Sequence, residues 1–440
     1  MIGNQDVADF LLKYYHFKTL KENQVGKQSI YVYTNPDRDP ITGELKNSEG
    51  AGTYLNKESD VEALIRKHYM RLLNKMLGKV DDALKSSNYT EKVKTYKLRE
   101  KLSAKLIVNG ISKNEVENVM GIIRGATFVE RTSMNPDGFI AFRNGLLNNK
   151  TWKLEGFDPK QFITYKINGN YDTNSVAGTV DEDIISNLDS TPMFKEFLLS
   201  TFPEESIPMV IDYMSYCLYP GFPKQKVLVI AGPPRQGKGT LVQLLEYIVG
   251  EGANKISMMK LLISENRFSY QGIEGKNVLI DSEIKREYNR RIDFSVLNSL
   301  FGGDTLPLEK KFKDEFPYRS RAKGILVASL PIFSIDNTAF LSRLFIVLTR
   351  PSLEREKIPD LSKLIWEKES NQIVTLIANR LKLLIEQKFT FSGEKSVEDY
   401  ISMWEMMTDS VQTFIEAELT AVEDAPIGYV KPGTKRYVAV

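Results

Sequence analysis

Val227–Gly250 reads VLVIAGPPRQGKGTLVQLLEYIVG, and this stretch decides the fold. Val227 to Ala231 is an apolar, β-branched run that feeds a glycine-rich loop. Leu241, Val242, Leu244, Leu245 and Ile248 then fall in helical register, and Gly250 closes the helix. Strand, loop and helix in that order are the setting in which G-x-x-x-x-G-K is a phosphate-binding loop. Gly232 and Gly237 let the backbone wrap round a phosphate chain through Pro233, Pro234, Arg235 and Gln236, with N–H groups pointing inward. The helix start adds partial positive charge, and Lys238 would reach the β- and γ-phosphates. ATP with Mg²⁺ is the expected occupant. The usual Ser or Thr after the lysine is replaced by Gly239, and a hydroxyl arrives one place later at Thr240. Thr240 is therefore the expected Mg²⁺ ligand, with water as the alternative, because Mg²⁺ readily keeps several waters.

An acidic partner follows in KNVLIDSEIK. Val278, Leu279 and Ile280 predict a short buried strand that ends on Asp281, at the edge where α/β sheets hold their ligands. Asp281 there suits Mg²⁺, and Glu283, two residues on, suits polarising an attacking water. Ser282 separates the two acids, so either could take the larger share of the base role. The bland alternative is a pair of acids at a helix start.

Outward from this centre, residues 226–350 alternate strand and helix, the pattern of an α/β domain. Residues 1 to about 55 are mixed and turn-rich, TNPDRDPITGELKNSEGAG among them reading as loops around a short hairpin, and from Lys57 to about Gly125 the pattern is helical. Asn109-Gly110 is a stop, and Ser112 with Glu115 forms a capping box for the next helix. FIAFRNGLL and TWKLEGF flank a hairpin turn at Asn148-Asn149-Lys150, and ITYKINGNYD adds an extended stretch. Residues 180–219 are helical again, as are about Ser362 to Gln387, and one helix is expected at about Asp409 to Leu419. The resulting division is a mainly helical region over 1–130, a collar or DNA-binding element; a small β-containing domain over 131–190; a motor domain over 191–355; and a helical C-terminal region over 356–440, whose tail is a candidate partial winged helix.

Composition excludes more than it assigns. A hydrophobic share of 42% and a charged share of 26% are ordinary for a globular chain. No run of apolar residues is long enough to span a bilayer. The N-terminal MIGNQDVADF lacks the basic-then-apolar order of a secretory signal, so an intracellular setting, the cytoplasm of a host cell, is expected without a membrane partner. With one cysteine and two histidines, neither an internal disulfide nor a structural zinc site is expected. The net charge of +2 says little about partners, but its distribution is uneven, with basic residues concentrated over 60–105 and 308–323.

The stretch FGGDTLPLEKKFKDEFPYRSRAKGILVASLPIFSIDNTAFLSRLFIVLTRP resembles, over its full length, the corresponding segment of superfamily 3 helicases of phage and plasmid replication, which include the poxvirus-type primase–helicases. Gly302, Gly303 and Asp304 match the family's GGD turn. Residues 305–323 match its basic pore hairpin, Gly324 to Pro331 its motif C strand, and Arg343 the arginine that reaches a neighbour's ATP site. FRNGLLNNKTWKLEGF with ITYKINGNYD resembles the small domain before the motor. The resemblance implies an AAA+-like P-loop ATPase that assembles as a ring, a homohexamer, moves 3′ to 5′ on single-stranded or forked DNA, and is often joined to a primase or polymerase. Lys310, Lys311 and Lys313 would meet the strand's phosphates, with Phe312 beside them. One departure stands out: the family's strand ends in an Asn that senses the γ-phosphate, whereas here Ala328-Ser329-Leu330 ends it, so Ser329 would take that place.

Neither Asp37-Arg38-Asp39 nor Asp181-Glu182-Asp183 is followed by the expected histidine motif, so no primase site is expected within this chain. Two alternatives to a helicase remain: a DNA-gripping or remodelling ring without unwinding activity, favoured by the missing Asn, and a nucleotide kinase, whose loop also carries Gly after Lys. The kinase does not account for Asp281 and Glu283 or for the block from the GGD turn to Arg343.

Overall fold

A computed structural model describes residues 3–20, 28–34, 51–86, 89–107, 111–175, 177, 184–261, 272–283, 294–308, 316–329, 337–350 and 358–408, with two short strands at 420–421 and 437–438. The chain divides into two units. The first comprises Met1–Pro136 with Phe157–Thr164, and the second Asp137–Gly156 with Tyr165–Val440.

In the first unit, α1 (Asn4–Tyr14), α2 (Glu58–Ser86), α3 (Tyr89–Ile107) and α4 (Lys113–Ala126) share a core with one side of strands β1 (Phe17–Leu20), β2 (Ile30–Tyr33), β3 (Tyr54–Leu55) and β4 (Phe128–Val129), which pair in the order β3-β2-β1-β4. The start of α4 is as expected: Ser112 Oγ accepts the Glu115 amide, and the Glu115 carboxylate accepts the Ser112 amide at 2.8 Å. Helix α1 lies in the mixed first stretch, where the sequence singles out no helix, and residues 35–50, most of the expected loops, lie outside the described residues. Its apolar stripe is short, with only Val7, Ala8 and Leu11 buried among its residues, so its periodicity is weak on the sequence.

The second unit opens with β5 (Phe139–Phe142), β6 (Gly145–Asn148) and β7 (Lys153–Glu155) in one antiparallel sheet. FIAFRNGLL is thus two strands rather than one, because Arg143-Asn144 makes a tight turn that its apolar flanks conceal. ITYKINGNYD contributes only an isolated bridge, Ile167 to Phe142. Helices α5 (Ile184–Asn187), α6 (Pro192–Thr201) and α7 (Ile207–Tyr216) lead into β8 (Val227–Gly232) and α8 (Lys238–Val249). There follow β9 (Ala253–Lys255), α9 (Met258–Leu261), β10 (Val278–Asp281), α10 (Ser295–Gly302), β11 (Thr305–Leu308), β12 (Phe316–Arg319), β13 (Lys323–Ser329), α11 (Thr338–Leu341), β14 (Leu344–Leu348), α12 (Leu361–Glu386) and α13 (Val397–Thr408). Helix α13 lies before the position expected for a C-terminal helix, and residues 409–419 lie outside the described residues.

The centre is a five-stranded parallel sheet in the order β14-β8-β13-β10-β9. All six residues of β8 are buried, which is why its sequence is a continuous apolar run rather than an alternating one. The chain leaves β8 toward the β9 edge, and leaves β13 toward β14 on the far side of β8. Connections that part in opposite directions open a crevice outside the carboxyl ends of β8 and β13.

Helix α12 joins separate parts of this unit through polar groups that its sequence does not advertise. Arg380 Nε donates to Asp212 Oδ1 of α7 at 2.5 Å, and the two side chains are 1% and 0% exposed. The Ser392 amide donates to Asp212 Oδ2 at 2.7 Å. Glu369 accepts the Met193 and Phe194 amides at 2.8 and 3.0 Å, closing the start of α6. Trp152 Nε1 donates to the Tyr171 hydroxyl, which donates to Asn379 Oδ1 at 2.8 Å, so the small antiparallel sheet shares the parallel sheet's core.

Lys323, at the start of β13, is fully buried; its Nζ donates to Asn277 Oδ1 at 2.8 Å and to the Tyr219 carbonyl. Burial pushes its pKa down to about 7.

Two consequences are measurable. Asp212→Ala leaves a buried guanidinium without its counter-ion and costs about 3–5 kcal/mol in denaturant unfolding, whereas the paired Asp212→Leu/Arg380→Met change costs far less. Lys323 binds a proton less readily in the folded chain than in the unfolded one, where its pKa is near 10.5. Its contribution to stability is therefore full above that value and is lost as pH falls toward about 7. Thermal midpoints across this window should rise with pH for the parent chain and rise less for Lys323→Met.

Candidate functional site

The residues expected to form a phosphate loop lie at the carboxyl end of β8, beside the crevice. Gly237 opens α8 with φ +81°, and a Cβ there would stand 2.7 Å from Thr201 Oγ1 of α6. Gly232 lies so close to Thr349 that a Cβ would collide with its hydroxyl. Arg235, a non-glycine at φ +67°, makes the turn at a cost of about 1 kcal/mol. Pro233, Pro234, Arg235 and Gln236 thus form a tight bridge between a buried strand and a helix N-terminus, whose first amides have no partner within the helix. Lys238 is buried, and its Nζ donates to the Gly232 and Pro233 carbonyls at 2.7 and 2.6 Å. Desolvation lowers its pKa. Gly239 has open space around it, and Thr240 is half-buried in the first turn of α8.

Ser329 ends β13 directly opposite Gly232 in the parallel register, about one strand spacing, ~4.8 Å, from the loop. Asp281 ends β10 and is buried, in register with Leu326 of β13. Its Oδ2 accepts the Met258 amide at 2.7 Å and its Oδ1 the Glu283 amide at 3.2 Å. Burial raises its pKa; the two amides pull it down, and the Glu283 charge pushes it up. A buried carboxylate whose charge is held only by amides suits a divalent cation. Among the described residues no group of three or more His, Cys, Asp or Glu could hold a metal. Glu283 is exposed just beyond the strand.

Arg343 lies at the opposite end of the sheet. Its carbonyl accepts the Val227 amide at 2.8 Å, at the entry of β8, five residues before Gly232. At ~3.3 Å per residue this is roughly 16 Å from the loop. Its guanidinium donates to the Ala339 carbonyl and to Asn298 Oδ1, while Nε is buried without a hydrogen-bond partner. The GGD turn is a helix end: Gly303 takes φ +74°, and the Asp304 amide returns to the Ser299 carbonyl at 3.0 Å. Strands β11 and β12 pair from Thr305–Arg319 to Leu308–Phe316, the stem of the expected hairpin. Lys310, Lys311, Phe312 and Lys313 lie between them, outside the described residues.

One loop partner escaped the sequence reading. Thr349 Oγ1 donates to Gln236 Oε1, which ties the exit of β14 to the middle of the loop. The signal was present: Thr349 is the first polar residue after the apolar run Leu344–Leu348, as Asp281 and Ser329 are after theirs.

Residues 44–203 match the family described as D5 N terminal like, and residues 230–343 match a family of unknown function, DUF5906. No curated protein matches the chain. Among solved structures, an A-form structure of the NrS-1 C-terminal region is similar at 14% identity and a TM-score of 0.37, covering 57% of this chain and 62% of that one. A second structure of that region, residues 305–718, aligns at 15% identity and a TM-score of 0.38 over 62% and 72% of the two chains. The JCV helicase aligns at 15% identity and a TM-score of 0.29 over 54% and 67%. The chain thus spans under two thirds of the first of these structures.

The loop geometry separates three glycines. Gly237→Ala should destabilise the protein by about 1–3 kcal/mol through its positive φ, and Gly232→Ala should also destabilise it, through the clash with Thr349. Gly239→Ala, in open helical space, should be neutral or stabilising by up to about 1 kcal/mol. Thermal unfolding of the three variants checks this order.

Proposed function

We propose that the chain is an ATP-dependent DNA helicase working as a ring, a reading supported by the match of residues 44–203 to the D5 N terminal like family. ATP is hydrolysed between subunits to drive movement along single-stranded DNA at a fork. The observation that carries this reading is the separation of Lys238 from Arg343 at opposite ends of one sheet. An arginine about 16 Å from its own loop is too far to act there, which supports its acting on a neighbour's loop.

In this reading the amides of Gly232–Lys238 and the Lys238 amine hold the phosphates. Thr240 and Asp281 would hold Mg²⁺, which when bound would offset the negative charge of the phosphate chain. Glu283 orients the attacking water and accepts its proton, and Ser329, across from Gly232, hydrogen-bonds near the terminal phosphate. Arg343 from the adjacent subunit stabilises the charge that develops on the transferring group. The β11–β12 stem carries Lys310, Lys311, Phe312 and Lys313 to the strand in the ring's hole, and such phosphate contacts read no sequence, as translocation requires. Movement 3′ to 5′, a hexamer, and a primase supplied by another segment or protein belong to the same proposal. Ser329 in place of Asn favours a second reading, a ring that grips DNA without unwinding it; strand displacement on a forked duplex distinguishes the two.

Lys238→Ala should abolish ATP hydrolysis with assembly intact. Arg343→Ala should lower turnover by about a thousandfold or more while nucleotide still binds. Mixing the two variants should restore measurable hydrolysis at interfaces that pair an intact loop with an intact arginine. Absence of rescue at every mixing ratio would refute an arginine supplied in trans.

A further inference from the structure

The first unit carries a charged surface that the nucleotide site does not use. Along α2, Lys67, Arg71, Lys75 and Lys79 recur every four residues, and all four are exposed. Four residues of helix rise about 6 Å, so the row is about 18 Å long and stays within roughly a third of the circumference. No acid occurs between Glu62 and Asp81. Acids near the row's far end are committed elsewhere: Asp81 to Arg99 at 2.6 Å and Asp82 to Lys85 at 2.9 Å. Near its start, Glu58 pairs with Arg124. Lys67, Lys75 and Lys79 hold no ion pair among the described residues. The opposite face of the helix, with Val61, Ile65, Tyr69, Leu73 and Val80, is buried in the unit's core, which fixes the direction of the row.

Two further residues complete this face. Asn74, an amide donor, is exposed between Arg71 and Lys75. Gly78 is exposed with nothing within 4 Å of where a Cβ would stand. A glycine inside a helix is destabilising, and no neighbour requires this one. It leaves the surface low beside the row, where a backbone can approach closely.

We infer that this face of α2 is a second nucleic-acid contact, one that binds the phosphate backbone without reading bases. A straight row of cations with no interleaved acid matches a strand that carries a charge every ~3.4 Å along its axis. An isolated solvated helix face would instead alternate its charges. The surface is separate from the phosphate loop and does not rest on ATP being hydrolysed there.

The test uses the full chain carrying Lys67→Glu, Lys75→Glu and Lys79→Glu together, with the matching triple Lys→Arg variant as the conservative control. Anisotropy of a labelled single strand and of the matching duplex is measured across a salt series, and far-UV circular dichroism and DNA-independent ATP hydrolysis verify the fold. The triple Glu variant should bind at least tenfold more weakly, and the slope of log affinity against log salt should flatten by about 2 for the single strand or about 3 for the duplex. The triple Arg variant should retain both. The probe whose slope changes identifies the strand that α2 holds. Unchanged affinity and slope on both probes overturn the proposal, as does equal competition by polyglutamate, which would mark an acidic protein as the partner. A triple Lys→Gln variant serves where the Glu variant misfolds. Loss of binding with DNA-independent hydrolysis intact concerns α2 alone, whereas absent hydrolysis in the parent chain concerns only the nucleotide site.

Discussion

The parallel register of β8 with its two neighbours is the constraint on which the rest of the second unit depends. Pairing of Leu344 through Leu348 with Val227 through Ala231, and of Gly324 through Ser329 with Val227 through Gly232, leaves no freedom in which residues meet at each edge. At the carboxyl edge it gathers Gly232, Ser329 and Thr349 round the head of α8. At the amino edge it leaves Arg343. A one-residue slip would take Ser329 out of line with Gly232 and force the close-packed side chains on both faces of the sheet to repack, so the register is strongly held. The chemistry proposed for the molecule is a reading of this one alignment: phosphate-binding groups at one end, a charge-stabilising group for another subunit at the other.

Burial explains why the polar members of the site are few and well placed. Interior strands admit no unpaired polar groups, so each run stays apolar until it reaches the crevice and then changes character within one residue. Asp281, Ser329 and Thr349 are these points of change. That made Asp281 legible in the sequence, whereas Ser329 was reached through the resemblance, and the same rule would have found Thr349. What was not legible is contact across sequence distance. Nothing in PMFKEFLLST announces that Thr201 lies beneath Gly237, and nothing in the α12 sequence separates Arg380 from a solvated arginine. Helix α1 was missed because a short amphipathic stripe next to turn-rich sequence gives little periodicity. The Arg143-Asn144 turn was missed because it lacks the glycine pair that marks a two-residue hairpin, although Gly145 follows it.

Helix α12 shows how polar residues can organise a core without being part of the chemistry. Arg380 with Asp212, Glu369 with the start of α6, and Asn379 with Tyr171 each join α12 to a different element, and each satisfies groups that would otherwise be costly to bury. Replacing such contacts with apolar ones can leave stability little changed, so their value lies in specifying one arrangement. The element most affected is α6, because its far end supplies Thr201 and Phe197 to the underside of the loop at Gly237. The loop is therefore supported from two directions, by α6 below Gly237 and by the exit of β14 at Gln236.

That second support has a consequence for a ring. Strand β14 begins just after Arg343 and ends just before Thr349, so one rigid strand separates the group that the proposed ring would offer to a neighbour from the group that touches the chain's own loop. A displacement of Arg343 along the strand direction cannot be absorbed inside β14 without breaking its pairing to β8. It must either be resisted by Asn298 and Ala339, which hold the guanidinium, or pass to Gln236. The buried, unpartnered Nε of Arg343 and Nε2 of Gln236 stand at the two ends of this path, and each is a donor that a second arrangement could satisfy. Coupling between adjacent nucleotide sites would then follow from the stiffness of a paired strand rather than from any change of fold, because packed elements shift as units and not by continuous deformation.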